Sequence, residues 1–224
     1  MTEVTFHEIE NYMQSCMSDS AHDQEHVYRV LYNALNIADG ERDVDLDVLI
    51  SACLLHDIGR QEQFENPSLC HAEVGGQKAY DFLIKNGFEN DFALHVKSCI
   101  ETHRFRKSNP PRSIEAKILF DADKLDVTGA IGIARTLIYK GQVSEPLYTL
   151  LPDGQIDDGY GTNPSFFHEY RYKLENIYDT FYTLTGRKLA EERRKNAENF
   201  FLKLKSEIMS SYTGGQNLLD RALQ

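Results

Sequence analysis

Apolar residues in this chain recur at steps of three and four, and no stretch alternates with a period of two over a useful length. Such spacing lines one face of a helix, so the pattern predicts an all-α protein. Val4, Ile9, Tyr12 and Met13 mark a first helix. A second carries Val27, Val30, Leu31, Ala34, Leu35, Ile37 and Ala38, with Ser20 and Asp23 as caps. A third starts at Asp45 or Asp47, continues through the apolar run Val48-Leu49-Ile50-Ser51-Ala52-Cys53-Leu54-Leu55, and ends near Gly59. Further helices follow over residues 71–85, stopping at Asn86-Gly87, over 91–102, from Ser113 through Asp121 and Asp123, and on to Tyr139. Glycines and prolines punctuate residues 141–164, which read as an irregular excursion near the site, too short to bury its own core. Charged amphipathic helices are expected at 166–182 and 188–210, with Gly186 as the break, and residues 213–224 as a loosely attached tail. The pattern therefore predicts one compact multi-helix domain over residues 1–212.

Composition narrows the class. The 224 residues are 41% hydrophobic and 26% charged, as in a globular protein with a real core. Net charge is −11, which argues against a nucleic-acid polymer as partner, since such proteins present a basic face. A phosphorylated small molecule stays open, because a metal supplies local positive charge whatever the total. The start of the chain lacks the basic and apolar segments of a signal peptide, and no apolar run approaches the roughly 20 residues that span a bilayer. The four cysteines show no C-x-x-C spacing. The expectation is a reduced, cytoplasmic protein that makes no use of a membrane.

The chemistry gathers around His56-Asp57, which closes the apolar run. An imidazole and a carboxylate there are costly to bury unpaired. His26 lies upstream, four residues after His22 and three before Arg29, so these three share one helical face. Asp123 lies downstream, on a distant helix. Two imidazoles and two carboxylates brought together bind a divalent ion such as Mn, Fe, Ni, Co or Mg. A lone histidine is more often a satisfied core-edge residue than a ligand, and only the set of four changes that balance.

Three segments carry a family resemblance: Ala21-His22-Asp23 with His26-Val27-Tyr28-Arg29-Val30; Leu54-Leu55-His56-Asp57-Ile58-Gly59; and Asp121-Ala122-Asp123-Lys124-Leu125. They resemble the motifs of the HD superfamily of metal-dependent phosphohydrolases. The C-terminal half, through His168, Lys173-Leu174, Thr183, Gly186-Arg187-Lys188-Leu189-Ala190, Arg193 and Phe200-Phe201, is similar to a small bacterial branch with nucleotide pyrophosphohydrolases among its members. The resemblance spans roughly residues 20–210 and implies His26, His56, Asp57 and Asp123 as metal ligands. Asp121 is the rival in the closing motif, with a cap, salt bridge or supporting partner as its other role. The resemblance also implies that His71 and His103 either hold a second ion bridged by Asp57 or face a substrate phosphate. As purely structural residues, they would cap a helix start and a helix end.

Arg29, Arg60, Arg104, Arg106 and Lys124 each lie within a few residues of a proposed ligand or pocket histidine. Taken singly, each is better read as a solvated or salt-bridged cation; as a set they favour a phosphoester. Some relatives carry a glutamate three positions after the core aspartate, where this chain has Arg60. Glu62, Asp126 or His22 then stand as proton-transfer residues, beside Asp57 and Lys124 as catalytic groups. The resemblance thus implies divalent-metal-dependent hydrolysis of a phosphate ester or anhydride by metal-activated water, a nucleotide being the favoured substrate. Two rivals are a di-iron oxygenase of the same family type and a non-catalytic, metal-stabilised helical domain that binds a nucleotide or partner.

Overall fold

A computed structural model describes residues 1–17, 24–104 and 109–224. Helices dominate it, and among the described residues the only β-type pairing is an isolated antiparallel bridge between Leu150 and Ile156. No helix among them is long and apolar enough to cross a membrane. The expected caps Ser20 and Asp23, and the site candidates His22 and Arg106, lie outside the described residues.

Two compact units emerge, the first comprising Met1–Asp126 and Phe181–Lys188. It holds α1 (Glu3–Cys16), α2 (Gln24–Ala38), α3 (Leu46–Leu55), α4 (Arg60–Glu65), α5 (His71–Lys85), α6 (Asn90–Thr102) and α7 (Ile114–Leu125). Helix α3 is the centre: Val48, Leu49, Ala52, Cys53, Leu54 and Leu55 are all buried, so it is apolar around its whole circumference. Its start is set by Asp45, whose carboxylate accepts hydrogen bonds from the N–H groups of Asp47 (3.0 Å) and Val48 (3.1 Å). Helices α2, α6 and α7 pack around it.

Two departures from the sequence expectation arise here. Helix α3 stops at Leu55 instead of near Gly59, because His56 caps it. The six-residue α4 was not foreseen, being too short to show a period. Gly59 has an ordinary negative φ of −95°, so the turn does not require glycine. Close approach does: a Cβ there would lie 2.4 Å from the carbonyl oxygen of His71 and 2.6 Å from the nitrogen of Gly75. Gly59→Ala is therefore expected to push the α5 backbone away, at about 1–3 kcal/mol or more, and thermal unfolding should register it as a lowered Tm.

The second unit comprises Val127–Thr180 and Leu189–Gln224. It contains α8 (Gly129–Gln142), the short α9 (Phe166–Glu169), a π-helical turn (Tyr170–Leu174), a 3-10 turn (Ile177–Thr180) and most of α10 (Leu184–Ala222). Its core stacks Tyr170 on Phe201, with ring centroids 3.9 Å apart, and sets Phe167 edge-on to Phe201 at 5.0 Å. The amphipathic stretch from 166 to 182 is thus a series of short turns that bury its aromatic residues, not one helix. Phe166 and Tyr170 are buried in this core, whereas Tyr160 and Tyr172 are exposed. Helix α10 starts before Gly186 and continues past Thr213, so neither position breaks it.

Candidate metal centre

Every donor of the centre belongs to the first unit, and local structure explains where each points. His56 follows the last residue of α3, where backbone carbonyls have no helical partner. Its Nδ1–H donates to the carbonyl of Cys53 at 2.7 Å. The carbonyl can only accept, so the proton sits on Nδ1, and Nε2 is left to face the centre. His103 repeats this arrangement at the end of α6, donating from Nδ1 to the carbonyl of Ile100 at 2.6 Å. His26 sits in the first turn of α2 on its buried side. Its Nδ1 donates to Oδ2 of Asp126 at 2.7 Å, and Arg29 ties the same carboxylate from Nε (2.7 Å) and Nη2 (3.1 Å). His71 opens α5 and donates from Nδ1 to Oε1 of Gln63 at 2.5 Å.

With these orientations the outer atoms converge. His26 Nε2 lies 3.4 Å from His56 Nε2, 3.3 Å from Asp123 Oδ1 and 3.6 Å from Asp57 Oδ2. His56 Nε2 is 3.5 Å from the same Asp57 oxygen. Donors bound to one ion at about 2.1 Å lie about 3.0–3.4 Å apart, depending on the coordination angle. The residues therefore fit a divalent ion. The other oxygen of Asp57, Oδ1, turns toward His71 Nε2 (3.6 Å) and His103 Nε2 (3.8 Å), which are 3.3 Å from each other. This oxygen is buried without a hydrogen-bond partner, an arrangement that disfavours a folded protein unless a cation satisfies it.

The electrostatics agree with a cation-binding role. Burial opposes charge on Asp57, but His56 and Arg60 hold its carboxyl well below the ordinary range. Asp123 is likewise lowered against its burial, chiefly by the hydrogen bond from His26. Burial also opposes charge on His26, and the bonds to Asp123 and Asp126 outweigh it, raising the pKa to about 9. A metal at Nε2 would take the place of that proton. His71 and His103 behave oppositely: burial with the nearby Arg60 brings His71 down to about 3, and burial with His56 brings His103 down to about 4. Both are neutral near pH 7, the form that ligates a metal.

The remaining candidates take different places. Asp121 is fully buried and faces away from the donors, toward the start of α10. Its carboxylate accepts from the backbone N–H of Tyr182 (2.9 Å) and Thr183 (2.7 Å) and from the Thr183 hydroxyl (2.7 Å). That hydroxyl in turn caps α10 by accepting from the N–H of Gly186 at 3.0 Å. Glu62 accepts a hydrogen bond from Lys78 of α5 at Oε1 (2.6 Å), while its Oε2 is buried without a hydrogen-bond partner. Arg60 pairs with Asp57, its Nε 2.9 Å from Oδ2. Lys124 lies 4.8 Å over the ring of Phe120. Arg104 reaches the sulfur of Cys70 at 3.9 Å, close enough to His71 to help keep it neutral. Sequence reasoning gave Asp126 no orienting role and passed over Gln63. The signal for both is chemical: a ligating imidazole needs an acceptor on its other nitrogen.

Comparison with known proteins places these residues in a wider group. The HD domain family model matches residues 24–128, a span that contains all six histidines and aspartates of the centre. The uncharacterized protein YpgQ of Bacillus subtilis is 34% identical over 207 residues, covering 90% of this chain and 92% of its own. The crystal structure of YpgQ in complex with ADP is similar with a TM-score of 0.71 and 30% identity, over 91% of this chain and 97% of that one. A structure described as a predicted HD superfamily hydrolase, from an uncultured Thermotogales bacterium, has a TM-score of 0.62 and 31% identity, over 90% and 91% of the two chains.

Proposed function

Because the chain belongs to the HD domain family, we propose that it is a divalent-metal-dependent phosphohydrolase acting on a nucleotide. The observation that carries this reading is the convergence of His26 Nε2, His56 Nε2, Asp57 Oδ2 and Asp123 Oδ1 at ion-binding separations. An ion held there would polarise a phosphoryl oxygen and make water nucleophilic near neutral pH. Arg60 and Arg104, with Lys124 beside Asp123, supply the positive charge that an acidic chain needs locally for a polyanionic substrate. The substrate approaches where the centre opens: the side chains of Asp123 and Arg60 are 25% and 34% exposed, against 4% for Asp57. A nucleotide is favoured because the similar protein YpgQ has been crystallised with ADP.

The second oxygen of Asp57 favours an extension of the same reading, in which His71, His103 and Asp57 hold a second ion. Asp57 would then bridge the two. Mn, Fe, Ni, Co and Mg all accept this mixture of nitrogen and oxygen.

The test is a panel of nucleoside mono-, di- and triphosphates and simple phosphomonoesters, offered to the protein after chelation and again after adding Mn or Ni. Hydrolysis is expected only with metal. A metal-replete protein that binds and cleaves none of the panel would overturn the reading and leave the oxygenase and scaffold alternatives ahead.

A further inference from the structure

We infer that Arg60 couples metal binding to anion binding at this centre, its guanidinium standing against the carboxylate oxygen that the ion needs and turning to a phosphate group when the ion takes that oxygen. The inference rests on the proposed metal and phosphate reading and deepens it. Arg60 is the first residue of α4, three positions after Asp57, with Nε 2.9 Å from Asp57 Oδ2. This is the same oxygen that faces His26 Nε2 and His56 Nε2.

The contact is more one of charge than of direction. At 2.9 Å a guanidinium N–H normally makes a straight hydrogen bond to a carboxylate. Here Nε makes none, so no directional bond from that nitrogen fixes the guanidinium in place. Arg29 offers the contrast: two of its nitrogens are bonded to Asp126, which binds it to the frame that orients His26. Arg60 is also the more outward group of its own pair, 34% exposed against 4% for Asp57. A cation so placed lies between the buried donors and solvent.

Two consequences follow from elementary electrostatics. A guanidinium on Asp57 repels an incoming divalent ion in a partly dry site, so it weakens metal binding. Once a phosphate group is present, the guanidinium has an anion to pair with, and that penalty is relieved. Binding linkage then requires that phosphate tighten the metal as much as the metal tightens phosphate.

Calorimetric titration of the full chain with Mn²⁺, with and without inorganic phosphate and with free Mn²⁺ corrected for complexation, tests this. Without phosphate, Arg60→Gln is expected to bind Mn²⁺ about 3- to 10-fold more tightly than the wild type. Phosphate should tighten Mn²⁺ binding to the wild type clearly more than to the variant, in which only the direct contact between ion and phosphate remains, while Arg60→Lys, which keeps the charge, stays near wild type. Equal or weaker Mn²⁺ binding by Arg60→Gln would overturn the inference, since Arg60 would then only hold Asp57 in place. Equal tightening of both proteins by phosphate would overturn it as well. A wild type that binds no Mn²⁺ at all refutes the metal reading, and the inference falls with it.

Discussion

Replacing Asp57 by alanine is expected to leave the protein without a tightly held divalent ion and without hydrolytic activity. Asp57 has an oxygen in each half of the centre, Oδ2 toward His26 and His56, Oδ1 toward His71 and His103. Altering a residue that merely supports a ligand costs about 10- to 100-fold in metal affinity, so losing the shared ligand should cost about 100-fold or more. The effect has a readout independent of turnover. An ion that binds only the folded chain, at about 100 times its Kd, stabilises it by about 2.7 kcal/mol. In a domain of this size that raises Tm by about 5–10 °C. The wild type should show this rise on replacing chelator with excess Mn or Ni, and Asp57→Ala should show none. Asp57→Asn keeps the side-chain shape and should behave likewise, which separates loss of the ion from loss of packing.

Asp121→Ala is expected to do the reverse, keeping the ion and losing stability. The substitution strips three hydrogen bonds from a fully buried carboxylate and leaves the N–H groups of Tyr182 and Thr183 with no acceptor. A buried donor left without an acceptor costs about 1–3 kcal/mol, read as a fall in the denaturant midpoint. Metal content of the folded fraction should stay at the wild-type value. Should Asp121→Ala empty the site while Asp123→Ala leaves it full, the roles given to these two aspartates are exchanged.

These two aspartates show what a sequence carries and what it withholds. The helix period places Asp121 and Asp123 on one helix but about 200° apart around its axis, so they cannot serve the same centre equally. Spacing does not say which of them faces inward. That depends on the segment packed against Asp121, which lies 61 and 62 residues downstream. Gly186 misleads for the same reason. It reads as a helix break, yet it lies in the first turn of α10, where a Cβ would come within 2.6 Å of Asp121 Oδ2 and 2.7 Å of Thr183 Oγ1. It is small because Asp121 is there.

The apolar run that ends in His56-Asp57 was legible because a helix buried on all sides needs no period to be recognised. The stretch from 166 to 182 was not legible: its aromatics recur at helical steps whether the backbone is α-helical, π-helical or 3-10, and tertiary packing of Tyr170 on Phe201 accompanies the broken form. The orienting contacts were hidden for a third reason. Asp126 lies 100 residues from His26, and no local pattern marks a hydrogen bond across that distance.

X-ray absorption at the metal edge of Mn- or Ni-loaded protein tests the central claim most directly, because it counts the imidazoles around the ion. The geometry predicts two histidine nitrogens per ion at about 2.1 Å, whether one pocket or both are filled, with oxygen donors completing the shell. The imidazole count should fall in His56→Ala. An ion surrounded by oxygen alone, unchanged by that substitution, would contradict the account.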